Sequence, residues 1–149
     1  MVRKIKLREI YQDGSVTGAG KLTAKAKEIC QLNAVFYNKS GFRKPWISYL
    51  AFDGEIAVGS CAFKGAPKDG SVEIAYTTFT GFEGKGFATA MATSLIRIAR
   101  QQDSSVRVFA CTMAEENASN AVLRKLDFEF TGETMRPEDG KIWQWHLRK

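Results

Sequence analysis

The sequence is short of the residues that staple or punctuate small proteins. It has 149 residues with only 3 prolines, 3 cysteines and a single histidine. Cys30, Cys61 and Cys111 are odd in number, far apart and without metal-ligand spacing. That excludes a disulfide framework and a metal site, and it reads as reduced, buried thiols of a cytoplasmic protein. No apolar run approaches the roughly 20 residues that a bilayer span needs. No apolar h-region follows the basic stretch Met1–Arg8, so no secretory signal is expected. Internal repeats and low-complexity segments are absent. The single histidine, His146, sits between Trp145 and Leu147 with no serine or cysteine motif nearby. A hydrolase triad is therefore not expected, and His146 reads as structural.

What is present is a globular composition, 44% hydrophobic and 26% charged, at the length of one ordinary domain spanning residues 1–149. The net charge of +6 raises the question of nucleic acid. The basic residues are dispersed, however: Arg3, Lys4, Lys6 and Arg8, then Lys21, Lys25 and Lys27, then Arg43 and Lys44, then Arg148 and Lys149. No basic stripe with interleaved aromatics stands ready to stack bases. A solvated surface is the reading, and attraction of a polyanionic ligand stays open. A nucleic-acid binder would rest on charge alone.

Along the chain, Leu22, Ala26, Ile29, Leu32, Val35 and Phe36 recur at helical spacing and predict a helix from about Lys21 to Tyr37. Pro45 closes the connection, and Trp46 to Phe52 reads as a strand. Asp53-Gly54 is a hairpin turn signal before a second strand over Glu55 to Phe63. A turn-rich loop, Gly65 to Gly70, leads to a third strand over Val72 to Phe79. After a glycine-rich loop comes a helix from Phe87 to Arg100, with Ala88, Met91, Ala92, Leu95, Ile96 and Ala99 on its apolar face. Val106 to Thr112 is a strand and Asn120 to Lys125 a short helix. Phe128 to Gly132 and Ile142 to Leu147 are closing strands around a turn at Pro137–Gly140. Phe128, Phe130, Trp143 and Trp145 are expected as core. The order predicts an α+β fold with one mixed, mainly antiparallel sheet flanked by helices. The two strands of the Val72–Thr112 unit should be parallel, joined by a right-handed crossover.

The informative stretch is Thr77-Thr-Phe-Thr-Gly-Phe-Glu-Gly-Lys-Gly-Phe-Ala-Thr89, running from strand into helix. Gly84 and Gly86 let the backbone lie close to a ligand. The unpaired N–H groups of the helix start, with the helix dipole, favour a pyrophosphate. Alone, a Gly-x-Gly at such a turn is equally a tight turn. Two other patterns fail. Thr17–Thr23 resembles a nucleotide P-loop but has Ser15 and Leu22 where glycine and Ser/Thr are required. The Gly84 loop lacks the third glycine of a dinucleotide fingerprint.

Strand, Glu83-Gly-Lys-Gly-Phe-Ala-Thr89, amphipathic helix, strand, then Glu116-Asn-Ala-Ser-Asn-Ala-Val-Leu-Arg-Lys-Leu-Asp-Phe128 together resemble a GNAT acetyltransferase. The loop is similar to that family's Gln/Arg-x-x-Gly-x-Gly/Ala motif, and the later segment to its Asn-x-x-Ser-like and Lys-x-Gly-Phe ending. The resemblance covers about Trp46 to Trp145. Val58-Gly59-Ser60 and Val72-Glu-Ile-Ala-Tyr76 look like the branch containing the ribosomal-protein alanine N-acetyltransferases.

The resemblance implies acetyl-coenzyme A as cosubstrate and a primary amine as acceptor. It implies that Gly84, Lys85, Gly86, Phe87, Ala88 and Thr89 give backbone N–H groups to the pyrophosphate. Thr77, Thr78 and Phe79 would pair with the pantetheine arm, and Asn117 would bond it from the other side. Only a neutral amine attacks a thioester, so a base is needed. Glu73 is the candidate, acting directly or through a water. It shares a strand face with Ala75, opposite Val72, Ile74 and Tyr76, and could equally decorate a solvated face. For the acid that reprotonates the thiolate, many relatives carry a tyrosine where this chain has Leu123. Ser119 is the nearest hydroxyl, and helix capping is its other reading. Glu83 stands where Gln or Arg is usual and is expected to point outward. Asp127 replaces a glycine and would need a left-handed backbone. The missing tyrosine leaves open a coenzyme A-binding sensor with degraded catalysis. The acceptor and the oligomeric state, a homodimer included, stay undetermined at this level.

Overall fold

A computed structural model of the chain describes residues 4–18 and 20–148. Arg3 and Lys149, among the dispersed basic residues, and Ala19 of the P-loop-like stretch lie outside the described residues. The elements in order are β1 (Lys6–Glu9), α1 (Ala24–Ser40), β2 (Ser48–Asp53), β3 (Ile56–Phe63), β4 (Ser71–Thr78), α2 (Phe87–Gln102), β5 (Arg107–Met113), α3 (Ala118–Lys125), β6 (Phe128–Arg136) and β7 (Gly140–Leu147). They build one seven-stranded sheet in the order β1-β2-β3-β4-β5-β7-β6. Every neighbouring pair is antiparallel except β4 and β5, which are parallel. The mixed, mainly antiparallel sheet expected from the sequence is therefore present. None of the described helices is long and apolar enough to cross a membrane.

Three features differ from the sequence reading. First, β1 occupies part of the basic N-terminal stretch and pairs with β2 from Lys6↔Phe52 to Glu9↔Tyr49. It closes one edge of the sheet, where charged residues such as Lys6 and Arg8 discourage pairing with another chain.

Second, α1 buries a different face. Ala26, Cys30 and Tyr37 are its buried residues, whereas Leu32 and Val35 are 58% and 62% exposed. The rotation follows from hydrogen bonding. The Tyr37 hydroxyl donates to Ile10 O at 2.7 Å and accepts from Ser48 N–H at 2.9 Å. One phenol thereby satisfies two backbone groups that would otherwise be buried without partners. The small Ala26 and Cys30 side chains occupy the same helix stripe. Thr23 caps the helix start, its hydroxyl accepting from Ala26 N–H at 3.2 Å.

Third, the closing aromatic cluster is only partly core. Trp145 and Phe128 are buried, but Phe130 is 48% exposed. Phe130 precedes a register irregularity in β6 and lies edge-on to Trp143 and Trp145. Trp145 is held by its indole N–H, which donates to Thr112 Oγ1 at 3.0 Å. His146 stacks on Phe109 and meets Thr131 Oγ1 at 2.9 Å, a structural role.

The feature that positions the site is a divergence. β4 and β5 pair only from Ser71↔Arg107 to Ile74↔Ala110. Beyond that point each strand continues, β4 to Thr78 and β5 to Met113. The strands part and leave a wedge in the middle of the sheet.

Candidate active site

The wedge exposes backbone on β4. Phe79 N–H donates to Val58 O at 2.8 Å, and Lys64 N–H donates to Glu73 O at 2.9 Å. Odd-numbered residues of β4 thus turn their backbone groups toward β3, and by alternation Tyr76 and Thr78 turn theirs toward the wedge. Of the residues expected along the pantetheine arm, Thr78 turns its backbone groups to the wedge. Thr77 points its carbonyl toward β3, and Phe79 is buried with its N–H already bonded, so neither offers backbone groups to the wedge. Tyr76, like Thr78, turns its backbone groups toward the wedge, which strand alternation in the sequence could have identified.

The loop after β4 turns on glycines. Gly84 and Gly86 have φ of 75° and 87°, the left-handed region that disfavours a side chain. A Cβ on Gly84 would meet no atom within 4 Å, so its surroundings are open to a ligand. Gly86 is the N-cap of α2, and no side chain caps that end. By helix geometry the N–H groups of Ala88 and Thr89 have no partner within the helix. Glu83 does not reach forward to this end: its carboxylate turns back and accepts from Gly81 N–H at 3.1 Å.

A cavity of about 410 Å³ lies between the loop, the end of β4 and the start of α3. Of the residues expected to hold the cofactor, Thr77, Thr78, Gly84, Gly86, Phe87, Ala88 and Thr89 line it, whereas Phe79, Lys85 and Asn117 do not. Ser119 lines it from α3, opposite Gly86 and Ala88. Asn117 is the N-cap of α3, its side chain accepting from Asn120 N–H at 3.1 Å. Capping therefore falls to Asn117, and Ser119 is among the residues lining the cleft.

Three smaller cavities surround the same strand end. One of about 220 Å³ lies toward α1 and includes Phe36, Lys64, Tyr76 and Thr77. One of about 70 Å³ fills the wedge between Tyr76, Cys111 and Ser119. The third, about 240 Å³, lies toward the β6–β7 hairpin and includes Lys64, Asn117, Ser119, Arg136 and Asp139. Tyr76 and Ser119 are shared corners, joined where the Tyr76 hydroxyl donates to Ser119 O at 3.3 Å. Burial raises the Tyr76 pKa, which keeps the phenol protonated at neutral pH.

Glu73 is buried at 9% exposure and lines none of these cavities itself, whereas its neighbours Lys64, Cys111 and Arg136 line the hairpin-side one. Arg136 grips it in bidentate fashion, Nη1 to Oε2 at 3.1 Å and Nη2 to Oε1 at 2.8 Å. Lys64 Nζ is 3.7 Å from Oε2. The solvated sheet face is thus not its environment. A carboxylate so placed requires cationic partners, because burying it alone is costly. Arg136 also donates to Cys111 Sγ at 3.3 Å. Burial, with the nearby Glu73 charge, pushes the Cys111 thiol up to about 11, so it is a neutral thiol at physiological pH. Neither Arg136 nor Lys64 was singled out from the sequence. Arg136 lies 63 residues from Glu73, and no local pattern announces such a pair.

The comparisons with known proteins bear on this geometry. A family model, described as an acetyltransferase (GNAT) domain, matches residues 6–129. A search of proteins with curated function finds no match to the sequence. Solved structures similar in fold include RimL, the ribosomal L7/L12 alpha-N-protein acetyltransferase. Its complex with coenzyme A has a TM-score of 0.67 and 16% identity, covering 95% of this chain and 92% of that one. An apo crystal form of RimL has a TM-score of 0.69 and 19% identity, with coverages of 95% and 91%. The ribosomal-protein-S5-alanine acetyltransferase from Vibrio fischeri has a TM-score of 0.68 and 14% identity, with coverages of 98% and 93%. At these identities the solved structures speak to fold, and the family match covers most of the chain. An open glycine turn at a helix start, a parted strand pair beside it and this match agree, and the chain belongs to the acetyltransferase (GNAT) domain family, the acetyl-coenzyme A-dependent N-acetyltransferases.

Proposed function

We propose that this chain transfers the acetyl group of acetyl-coenzyme A to a primary amine by direct attack, with no covalent enzyme intermediate, as a cytoplasmic enzyme. The observation that carries the reading is the convergence at the end of β4. There the 410 Å³ cleft under the α2 N-terminus meets the cavities around Lys64, Ser119 and Arg136. The amides of Gly84, Gly86, Ala88 and Thr89 would hold the pyrophosphate, with the Thr89 hydroxyl beside them. Tyr76 and Thr78 would pair with the pantetheine arm along the open strand edge.

Glu73 is the proton acceptor for the incoming ammonium, directly or through a water. An amine entering from the α1 side or the hairpin side arrives next to Lys64, which lines both cavities. It then competes with Lys64 and Arg136 for the Glu73 carboxylate. Ser119 hands a proton, its own or that of a held water, to the leaving thiolate. The similar solved structures include an acetyltransferase described as modifying the N-terminal serine of ribosomal protein L7/L12 and one named for an alanine of ribosomal protein S5. A peptide N-terminus is accordingly the first acceptor to try, with amino sugars and small polyamines beside it.

Glu73→Gln should lower turnover by about 100-fold or more, the usual cost of losing a general base. Coenzyme A binding by titration calorimetry should be unchanged. Full activity in this variant would remove Glu73 from the mechanism.

A second reading is a coenzyme A-binding sensor with degraded catalysis. The bidentate Arg136 grip on Glu73 favours it, since both carboxylate oxygens are engaged. Incubation with acetyl-coenzyme A and a broad amine panel separates the two readings: thiol release above background excludes the sensor.

A further inference from the structure

We propose that Lys64 is itself an acetyl acceptor, so that the protein modifies its own cleft. The inference rests on the reading of Glu73 and the coenzyme cleft given above. It arises from where the lysine sits. Lys64 follows directly after β3 and lays its ammonium 3.7 Å from the Glu73 carboxylate, the geometry the reaction asks of an incoming amine. Its side chain is 41% exposed, so it is not locked in place. It lines the cavity toward α1, which shares Tyr76 and Thr77 with the coenzyme cleft. It also lines the cavity toward the hairpin, which shares Ser119 with that cleft. Among the described residues no other lysine lines these cavities. The lysine therefore stands where an acceptor amine must pass, on both routes.

Arg136, the other cation on Glu73, cannot serve in this way. Its guanidinium stays protonated, and its hydrogen bonds to Glu73 raise its pKa further. A lysine amine becomes a nucleophile once one proton is removed. Glu73 takes that proton from Lys64 Nζ. The nitrogen lone pair attacks the thioester carbonyl carbon, the N–C bond forms, and the C–S bond breaks with its electron pair on sulfur. The nitrogen loses a second proton as the amide forms, and the thiolate gains one to leave as the free thiol. The products are N-acetyl-lysine, coenzyme A and one proton released to solvent. Acetylation also removes one of the two cations held by Glu73, which clears the way for an external amine.

The test uses the purified protein and acetyl-coenzyme A with no added acceptor, read by intact mass and then by peptide mapping. Lys25 is the internal control. It has a carboxylate neighbour of its own, Glu28 at 3.8 Å, but stands on α1 away from the cleft. Lys64 should acquire one acetyl group on the order of 100-fold faster than Lys25, the advantage of a positioned base. Its rate should be independent of protein concentration. Lys64→Arg should abolish the rapid phase, and Glu73→Gln should slow it to the rate at Lys25. Equal rates at Lys64 and Lys25, or a rate that climbs with protein concentration, would overturn self-modification. Turnover of an external amine with Lys64 left unmodified would sink this inference alone. Normal coenzyme binding with no transfer to any amine would instead sink the catalytic reading beneath it.

Discussion

Gly59 offers a direct test of how the sheet shapes the coenzyme cleft. It lies on β3 opposite Thr78, at the end of β4 that borders the cleft. A Cβ at this position would come within 2.5 Å of Thr77 O, 2.8 Å of Met91 Cε and 3.1 Å of Met91 Sδ. Ordinary van der Waals contact begins near 3.4 Å, so an alanine methyl and the Thr77 carbonyl must separate by about 0.9 Å. The carbonyl belongs to the strand backbone and Met91 is fully buried in α2. The methyl therefore pushes on Thr77, which lines the cleft, and on the helix whose first turn lines it. Overpacking of this kind costs about 1–3 kcal/mol. For a chain of this size that is a fall in Tm of roughly 2–12 °C. Displacing Thr77 shifts Thr78 with it, which on the proposed function would spoil the Thr78 hydrogen bond to the pantetheine arm, worth about 1 kcal/mol or roughly fivefold in coenzyme A affinity. Urea or thermal unfolding of Gly59→Ala gives the first number and titration calorimetry the second. A variant within about 0.5 kcal/mol of the parent, with unchanged coenzyme affinity, would refute the idea that this glycine sets the spacing.

Asp127 has φ of 68°; its carbonyl holds Arg148 N–H at 3.2 Å, a bond any residue there can keep, and its carboxylate meets Arg148 Nε at 3.3 Å in an exposed ion pair worth little. Asp127→Gly should raise stability by about 0.5–1 kcal/mol in chemical denaturation, and Asp127→Ala should lower it, because alanine tolerates this backbone less well than aspartate. Asn117→Ala removes the α3 cap and should cost about 1 kcal/mol, whereas Asn117→Ser should keep most of it; equal stabilities would dismiss the cap. The Cys111 thiol, with its pKa pushed from 9.0 up to about 11, should react with iodoacetamide about 100-fold more slowly at neutral pH than an unperturbed thiol. Since the thiolate forms only on deprotonation, the rate should climb through pH 9 and level off near 11, and a plateau by pH 9 would contradict the burial argument.

Much of the fold was legible because it is locally encoded. The strand–glycine loop–helix unit from Ser71 to Gln102 announces itself by β-branched residues, by glycines that alone adopt the left-handed turn, and by an apolar helix face. The parallel pairing of β4 with β5 follows from the connecting helix. Most of the lining of the proposed coenzyme cleft came with that unit, since it belongs to nearly consecutive residues. The left-handed backbone expected at Asp127 likewise needed only its place after a short helix.

The tertiary structure decided what depends on distant neighbours. The buried face of α1 turns on a phenol reaching Ile10, 27 residues away, which periodicity in hydrophobicity does not register. Tyr76 faces the wedge because β4 outruns its pairing with β5, a consequence of strand divergence rather than of composition. The cluster around Glu73 exists because the sheet order sets β6 and β7 beyond β5 and so brings Arg136 over the wedge. Glycine conformation and helix periodicity act over a few residues, so the primary sequence carries them. An ion pair across four strands depends on the order in which those strands assemble, and only the folded sheet brings its two halves together.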